Sequence, residues 1–221
     1  MGSHETEFCT VEVGDGISLQ ARLFKPTAVT SDIVIVLVHQ YSVLGGCQGL
    51  MKGIAKELAE KGYQTVTFDM RGVGRSSGKA SWTGSSEVQD VIAVCKWASQ
   101  YISAERILLV GSSAGAPIAG SAVDQVEQVM GYVSLGYPFG MMASILFGRH
   151  HKAILQSPKP KLFVMGTSDG FTSVKQLKDK LKMAAGRNEI HLIPKAGHFQ
   201  MEGPAYDEQM AELIDKFSAT L

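Results

Sequence analysis

The stretch Ile107-Leu108-Leu109-Val110-Gly111-Ser112-Ser113-Ala114-Gly115-Ala116-Pro117-Ile118-Ala119 decides how the rest of the chain is read. The apolar run from Ile107 to Val110 predicts the body of a strand, here Arg106 to Ser112. From Ala114 the spacing predicts a helix reaching Gln128. Between them, Gly111-x-Ser113-x-Gly115 must turn the chain from strand to helix within a few residues. The side chain at the centre of so sharp a turn is forced into a tight backbone conformation, and small residues two positions to either side are needed to clear it. Ser113 is therefore expected to be an exposed hydroxyl at a helix N-terminus, where the Ala114 N–H faces any negative charge that develops. The same five residues also read as a glycine-eased turn with an inert serine, and the stretch alone does not separate the two readings.

Working outward, strands and helices alternate. Phe8 to Val13 and Ile17 to Phe24 flank Gly14-Asp15-Gly16 and predict a β-hairpin. Asp32 to His39 is a continuous β-branched run, as expected of a strand covered on both faces. Gly49 to Gly62 has helical spacing, Tyr63 to Met70 is a strand, and Ser85 to Tyr101 is a helix with Ser86 and Gln89 as a weak capping box. Strands follow at Val129 to Leu135, Lys161 to Gly166 and Glu189 to Ile193, with helices at Thr172 to Ala185 and Pro204 to Ala219. Such alternation implies an α/β protein whose mostly parallel sheet has helices on both faces, with ligands bound outside the carboxyl ends of the strands. The segment from Phe139 to Leu155 breaks the pattern: it is rich in Met, Ile, Leu and Phe, then turns basic at Arg149-His150-His151-Lys152.

Composition narrows the function. The 221 residues carry 21 basic and 21 acidic side chains, a formal charge of zero, which argues against a nucleic-acid partner and against disorder. Apolar residues make up 45% and charged residues 19%, ordinary for a packed globular chain. Cys9, Cys47 and Cys95 are far apart and odd in number, so neither a zinc pattern nor a disulfide framework is expected, and a reducing, cytoplasmic setting fits. No apolar run is long enough to span a bilayer. Gly2 to Thr6 matches a myristoylation pattern and equally a vector remnant. The turn Gly72-Val73-Gly74-Arg75-Ser76-Ser77-Gly78 misses G-x-G-x-x-G by one position, so nucleotide binding is not expected.

A serine hydroxyl needs a base to become a nucleophile, and the base needs an orienting acid. Asp169, in Gly166-Thr167-Ser168-Asp169-Gly170, follows a predicted strand. His198, in Ala196-Gly197-His198-Phe199, follows the last one. Both are thus expected at the strand ends that also present Ser113, in the chain order Ser, Asp, His. Together with His39-Gln40 after the third strand and Asp69-Met70-Arg71-Gly72-Val73-Gly74-Arg75-Ser76 after the fourth, these motifs make the sequence resemble a small, nearly capless member of the α/β-hydrolase superfamily, of the serine esterase or dienelactone-hydrolase kind, over nearly its whole length.

The resemblance implies an eight-stranded α/β-hydrolase fold in a single domain, 1–221, with an N-terminal antiparallel hairpin. It implies Ser113 as nucleophile, His198 as general base and acid, and Asp169 as orienting carboxylate. Oxyanion donors would be the Ala114 N–H and that of Tyr41, or less readily Gln40, since His39-Gln40 stands where many members have His-Gly. The implied reaction is cleavage of a small carboxyl ester or thioester through an acyl-serine, without cofactor or metal. The alternatives are a non-catalytic or single-turnover small-molecule receptor and an acyltransferase.

The short span from Tyr137 to Lys161 leaves no room for a large cap. A lid-like insertion at about 139–158, with Met141, Met142, Ile145, Leu146 and Phe147 lining an acyl pocket, is one reading of it. Core sealing or packing against a second copy in a homodimer is the other. Asp69 is expected to anchor the turn that follows it and His39 to hold the oxyanion loop. His191 is read as an ordinary strand residue, and His150 with His151 as a solvated pair.

Overall fold

The structure, a computed structural model, describes residues 4–40 and 45–221, apart from the side chains at positions 141, 142 and 202. The hairpin forms from β1 (His4–Gly14) and β2 (Ile17–Pro26), paired antiparallel from His4↔Pro26 to Gly14↔Ile17. Asp15 (φ 51°) and Gly16 (φ 73°) both take the left-handed conformation that matches a tight hairpin turn to the twist of its strands. Both strands outrun their apolar cores, because ladder hydrogen bonds are made by backbone and polar residues can extend them.

The remaining strands are β3 (Ile33–Val38), β4 (Gln64–Phe68), β5 (Arg106–Ser112), β6 (Val129–Leu135), β7 (Lys161–Gly166) and β8 (Asn188–Ile193). They make one eight-stranded sheet in the order β1-β2-β4-β3-β5-β6-β7-β8, parallel from β4 to β8 and antiparallel at the hairpin. Every residue of β3 is buried, and the period of two sends alternate side chains to opposite faces. Val34, Val36 and Val38 join one core with residues of α2 (Ser85–Tyr101), α3 (Gly115–Ala122), α4 (Met141–Gln156) and α5 (Val174–Leu181). Ile33, Ile35 and Leu37 join the other with α1 (Lys52–Glu60) and α6 (Asp207–Ser218). Among the described residues no helix is long and apolar enough to cross a membrane.

Three local expectations are corrected. The capping box at Ser86 and Gln89 does not form: α2 starts after Gly84 (φ 74°) with no side-chain cap, and the buried Glu87 carboxylate instead takes the Ser81 N–H and hydroxyl. The reciprocal box is at Ser173 and Gln176, opening α5. The segment that broke the alternation is a helix, α4, with non-helical backbone at Phe147 (φ −116°, ψ 16°).

His150 and His151 are not a solvated pair; each is only 7% exposed. α4 packs along α3, so His150 Nδ1 meets the Ser121 hydroxyl at 2.6 Å and its Nε2 donates to the Thr83 carbonyl at 2.7 Å, while His151 Nδ1 lies 3.0 Å from the Tyr137 hydroxyl. The neighbours Arg149 and Lys152 take the solvent side. Burial lowers the pKa of both histidines, that of His151 to about 4.

At the opposite end of the sheet, the first residue of β7 is a fully buried lysine. Lys161 Nζ donates to the carbonyls of Ser157, Lys159 and Ala185 at 2.6, 2.9 and 2.8 Å. All three ammonium hydrogens are thereby used.

Candidate active site

β5 and α3 meet at Ser113, whose φ of 48° is the left-handed conformation that costs a non-glycine residue energy and persists only when its surroundings impose it. They do. The Ser113 N–H donates to the Leu135 carbonyl at 2.8 Å, and its own carbonyl accepts from Ala116 at 3.0 Å. The flanking glycines are required by close approach: a Cβ on Gly111 would stand 2.6 Å from Ala116 Cα, and one on Gly115 would stand 1.9 Å from the His39 carbonyl oxygen.

The Ser113 hydroxyl is 2.6 Å from His198 Nε2. His198 Nδ1 is 2.5 Å from Asp169 Oδ2. A carboxylate can only accept here, so Nδ1 carries the proton and donates it, leaving the Nε2 lone pair to accept the serine O–H. The other carboxylate oxygen accepts the N–H groups of Phe171 and Thr172 at 2.7 and 2.9 Å. Burial by itself pushes the Asp169 carboxyl up. The hydrogen bond and charge of His198, with the two backbone N–H groups, outweigh it and hold the carboxyl below its ordinary value. Ser113 and His198 are buried, at 7% and 6% exposed, so the hydroxyl is not the exposed group expected of the turn: the imidazole seated on it covers it.

Loop bonds lock the partners in place. The Ser168 N–H donates to the Ala196 carbonyl and the Lys195 N–H to the Thr167 hydroxyl, tying the turn after β7 to the turn after β8. Thr172 bridges the Tyr137 carbonyl and the Phe139 N–H. A hydroxyl on an imidazole that is itself seated on a buried carboxylate can lose its proton as it attacks an electrophile.

The expected oxyanion donors divide. The Ala114 N–H precedes α3 and has no hydrogen-bond partner among the described residues. Tyr41 lies outside the described residues. Gln40 is held by its carbonyl: Met70 N–H donates to His39 Nε2 at 3.0 Å, so the ring proton is on Nδ1 and points to the Gln40 oxygen at 2.5 Å. Burial lowers the His39 pKa, which favours this neutral form.

Asp69 serves two segments. A Cβ on Gly74, in the turn that follows it, would stand 2.8 Å from its carboxylate, and that carboxylate accepts both the backbone N–H and the side-chain amide of Gln48 at 2.8 Å. Gln48 Oε1 in turn accepts the Thr67 hydroxyl at 3.0 Å. This buried glutamine closes the far end of the loop after β3. No motif marked it, because its importance arises only from strands that meet across the sheet. The turn after β4 is braced a second time by Arg71, whose guanidinium forks onto Asp90.

Of the expected pocket residues, Phe147 is buried in the core, and Ile145 and Leu146 are 75% and 45% exposed on the first half of α4. The Met141 and Met142 side chains lie outside the described residues. The aromatic rings of Phe171, which no motif singled out, and of Phe199, the last residue of the Gly197-His198-Phe199 motif, flank His198. Among the described residues, no three His, Cys, Asp or Glu side chains gather to hold a metal ion.

A model of the alpha/beta hydrolase domain matches residues 36–220. The chain is 31% identical over 126 residues to a 31.7 kDa protein of the traX-finO intergenic region of Escherichia coli, a match covering 56% of this chain and 43% of that protein. The matched part thus spans less than half of that relative. Protein RP471 of Rickettsia prowazekii is 25% identical over 189 residues, 82% of this chain and 77% of its own.

Among solved structures, an alpha-beta serine hydrolase homologue from Coxiella burnetii superposes with a TM-score of 0.79 at 26% identity, over 95% of this chain and 96% of that one. XC6422 of Xanthomonas campestris, a serine hydrolase described as lacking a lid, gives 0.79 at 21% identity, over 98% and 94%. The esterase Pf2001 of Pyrococcus furiosus gives 0.76 at 20%, over 97% and 92%; these last two show likeness of fold alone. The sheet order, the strained serine between β5 and α3, and a family match running from β3 past the end of α6 lead to one conclusion: the chain belongs to the alpha/beta-hydrolase family.

Proposed function

We propose that the protein is a serine hydrolase cleaving a small carboxyl ester or thioester through an acyl-serine intermediate. The observation that carries this reading is the unbroken run of hydrogen bonds from Ser113 Oγ through His198 to Asp169, at 2.6 and 2.5 Å. As Ser113 Oγ attacks the substrate carbonyl carbon, its proton passes to His198 Nε2, and Asp169 stabilises the resulting imidazolium. The tetrahedral oxyanion is met by the Ala114 N–H and, on this reading, by that of Tyr41. Each such donor is worth about a hundred- to a thousandfold in rate. His198 then returns the proton to the departing oxygen or sulfur. A water molecule repeats the sequence on the acyl-serine and releases the acid. That the Coxiella burnetii structure is described as an alpha-beta serine hydrolase homologue is in keeping with this chemistry.

The same reading treats the chain as one domain whose α4 is a short lid rather than a separate cap. A Cβ on Gly140, just before α4, would stand 2.3 Å from the Phe171 carbonyl oxygen, so the helix starts beside the loop that carries Asp169. Ile145 and Leu146 are the described lid residues left for an acyl chain, since Phe147 is spent on the core. The test is labelling by a fluorophosphonate probe with competition by a panel of esters and thioesters. Wild-type protein is expected to label and to be protected by turned-over substrates, and Ser113→Ala to lose labelling and turnover with its circular dichroism unchanged. Turnover retained in Ser113→Ala overturns the assignment; labelling without turnover of any acyl compound favours a single-turnover receptor.

A further inference from the structure

On the mechanism above, His198 Nε2 hands its proton to the departing oxygen, so the leaving group must sit within hydrogen-bond reach of that atom. What surrounds the imidazole therefore surrounds the leaving group. Three directions around the ring are already taken. Nδ1 faces Asp169, Nε2 faces Ser113, and the Cε1 corner faces Gly136, where an added Cβ would stand 3.1 Å away.

Phenyl rings cover much of the rest. Phe171 lies 4.5 Å from the imidazole centroid at 53°, and Phe199 lies 5.2 Å from it at 87°. The two phenyl rings stand 5.6 Å apart at 85°, making a right-angled corner. His198 is only 6% exposed, but the rings beside it are 51% and 61% exposed. Two phenyl groups left in water at the edge of the site are stabilised when an apolar group covers them. A corner of this shape offers a third ring both an edge and a face, the arrangements aromatic pairs prefer. Among the described residues, the cations that stack on phenyl rings sit on Phe8 and Phe217, not here.

We infer that Phe171 and Phe199 form a leaving-group subsite for an aromatic ring, so that the favoured substrates are esters whose alcohol portion carries one. This rests on the serine-hydrolase reading and deepens it. The step is ordinary hydrolysis: the acyl carbon–oxygen bond breaks, the His198 proton goes to that oxygen, and the aromatic alcohol leaves while the acyl group stays on Ser113 until water takes it. The Phe171 backbone N–H also holds Asp169, so its ring can be changed without removing that bond.

The experiment compares kcat/KM for benzyl, cyclohexylmethyl and ethyl esters of one acid. The corresponding alcohols are close in acidity, so differences report on the subsite rather than on leaving ability. Wild-type protein is expected to favour the benzyl over the cyclohexylmethyl ester by about three- to tenfold. Phe171→Leu and Phe199→Leu, which keep apolar bulk but lose the ring, are expected to bring that ratio close to one. Labelling and turnover in the wild type without a benzyl preference overturn this inference alone. An equal fall for all three esters in the variants, with a shifted pH–rate profile, also overturns it, by making the rings supports for His198. Absence of both labelling and turnover in the wild type overturns the serine-hydrolase reading and this inference with it.

Discussion

β7 carries a buried polar cluster at each end, and the two are built to opposite purposes. At its start, Lys161 gives all three ammonium hydrogens to the carbonyls of Ser157, Lys159 and Ala185. Burial lowers its pKa to about 8, which still leaves it mainly protonated at neutral pH. That cluster is saturated: it ties the loop before β7 to the loop before β8 and has no group left to react. Just past the end of the same strand, Asp169 takes two backbone N–H groups on one oxygen and His198 on the other. The run of bonds from there ends on the Ser113 hydroxyl, set on a backbone with φ 48°. Burial of a polar group therefore does not mark a site. What sets the candidate site apart is a hydrogen-bond chain that ends on one strained hydroxyl.

The contrast can be broken from either end. Asp169→Asn is expected to have the largest effect. On the proposed mechanism it removes the charge that would stabilise the imidazolium and lets the imidazole adopt the wrong tautomer, so turnover of the proposed acyl substrates should fall by about a thousand- to ten-thousandfold with little change in thermal midpoint. Lys161→Met should do the reverse: three carbonyls, that of Ser157 buried and those of Lys159 and Ala185 half-buried, lose their donor, lowering stability by about 3 kcal/mol in denaturant titration while kcat/KM per folded molecule is retained. A loss of activity in the lysine variant beyond its loss of folded protein would show that the two ends are coupled.

His151 sharpens the comparison, because it is buried but neither saturated like Lys161 nor placed on the reacting atoms. Its folded pKa, lowered by burial to about 4, lies below the ordinary 6.5. The unfolded chain therefore binds the proton first as pH falls. The stability associated with a neutral His151 is complete above about pH 6.5 and is lost progressively between 6.5 and 4, amounting to roughly 2 kcal/mol by pH 5. Urea denaturation at pH 8 and pH 5 should show this fall, and His151→Asn should reduce it by about that amount, leaving the part owed to His39 and His150, whose pKa values burial also lowers. The smallest effect is expected from Ser173→Ala, which removes the cap of α5 just beyond the Asp169 loop. It should cost about 1 kcal/mol of stability and leave kcat within a factor of about two, since Thr172 and its bonds to Tyr137 and Phe139 stay.

Much of the fold was legible because it depends on local period and turn chemistry. α2, β5, β6 and β7 begin and end where apolar spacing placed them. The α4 segment was not legible, since its apolar residues divide between the core, at Phe147 and Ile154, and solvent, at Ile145 and Leu146; a helix kinked at Phe147 has no single face to count. The two histidines after it looked solvated because they stand in a basic run, and were buried by the packing of α4 on α3. In the candidate site, Ser113, Asp169 and His198, which the structure brings together, were read from turns after strands. Gln48 and Phe171 could not, because their partners Asp69, Thr67 and the His198 ring are distant in the chain; Phe199 stood in the motif beside His198, but its packing against Phe171 is tertiary.

From the sequence alone came the candidate residues Ser113, Asp169 and His198 and the backbone setting of each. The Gly111-x-Ser113-x-Gly115 turn follows from sterics between near neighbours, and the alternation of strands and helices follows from the two hydrophobic periods. The tertiary structure alone decided what those residues meet. Ser113 and His198 are 85 residues apart in the chain and His198 and Asp169 are 29 apart. Their contact depends on β5, β6, β7 and β8 lying side by side in parallel. That order is set by the packing of both sheet faces, which no local stretch of the chain contains.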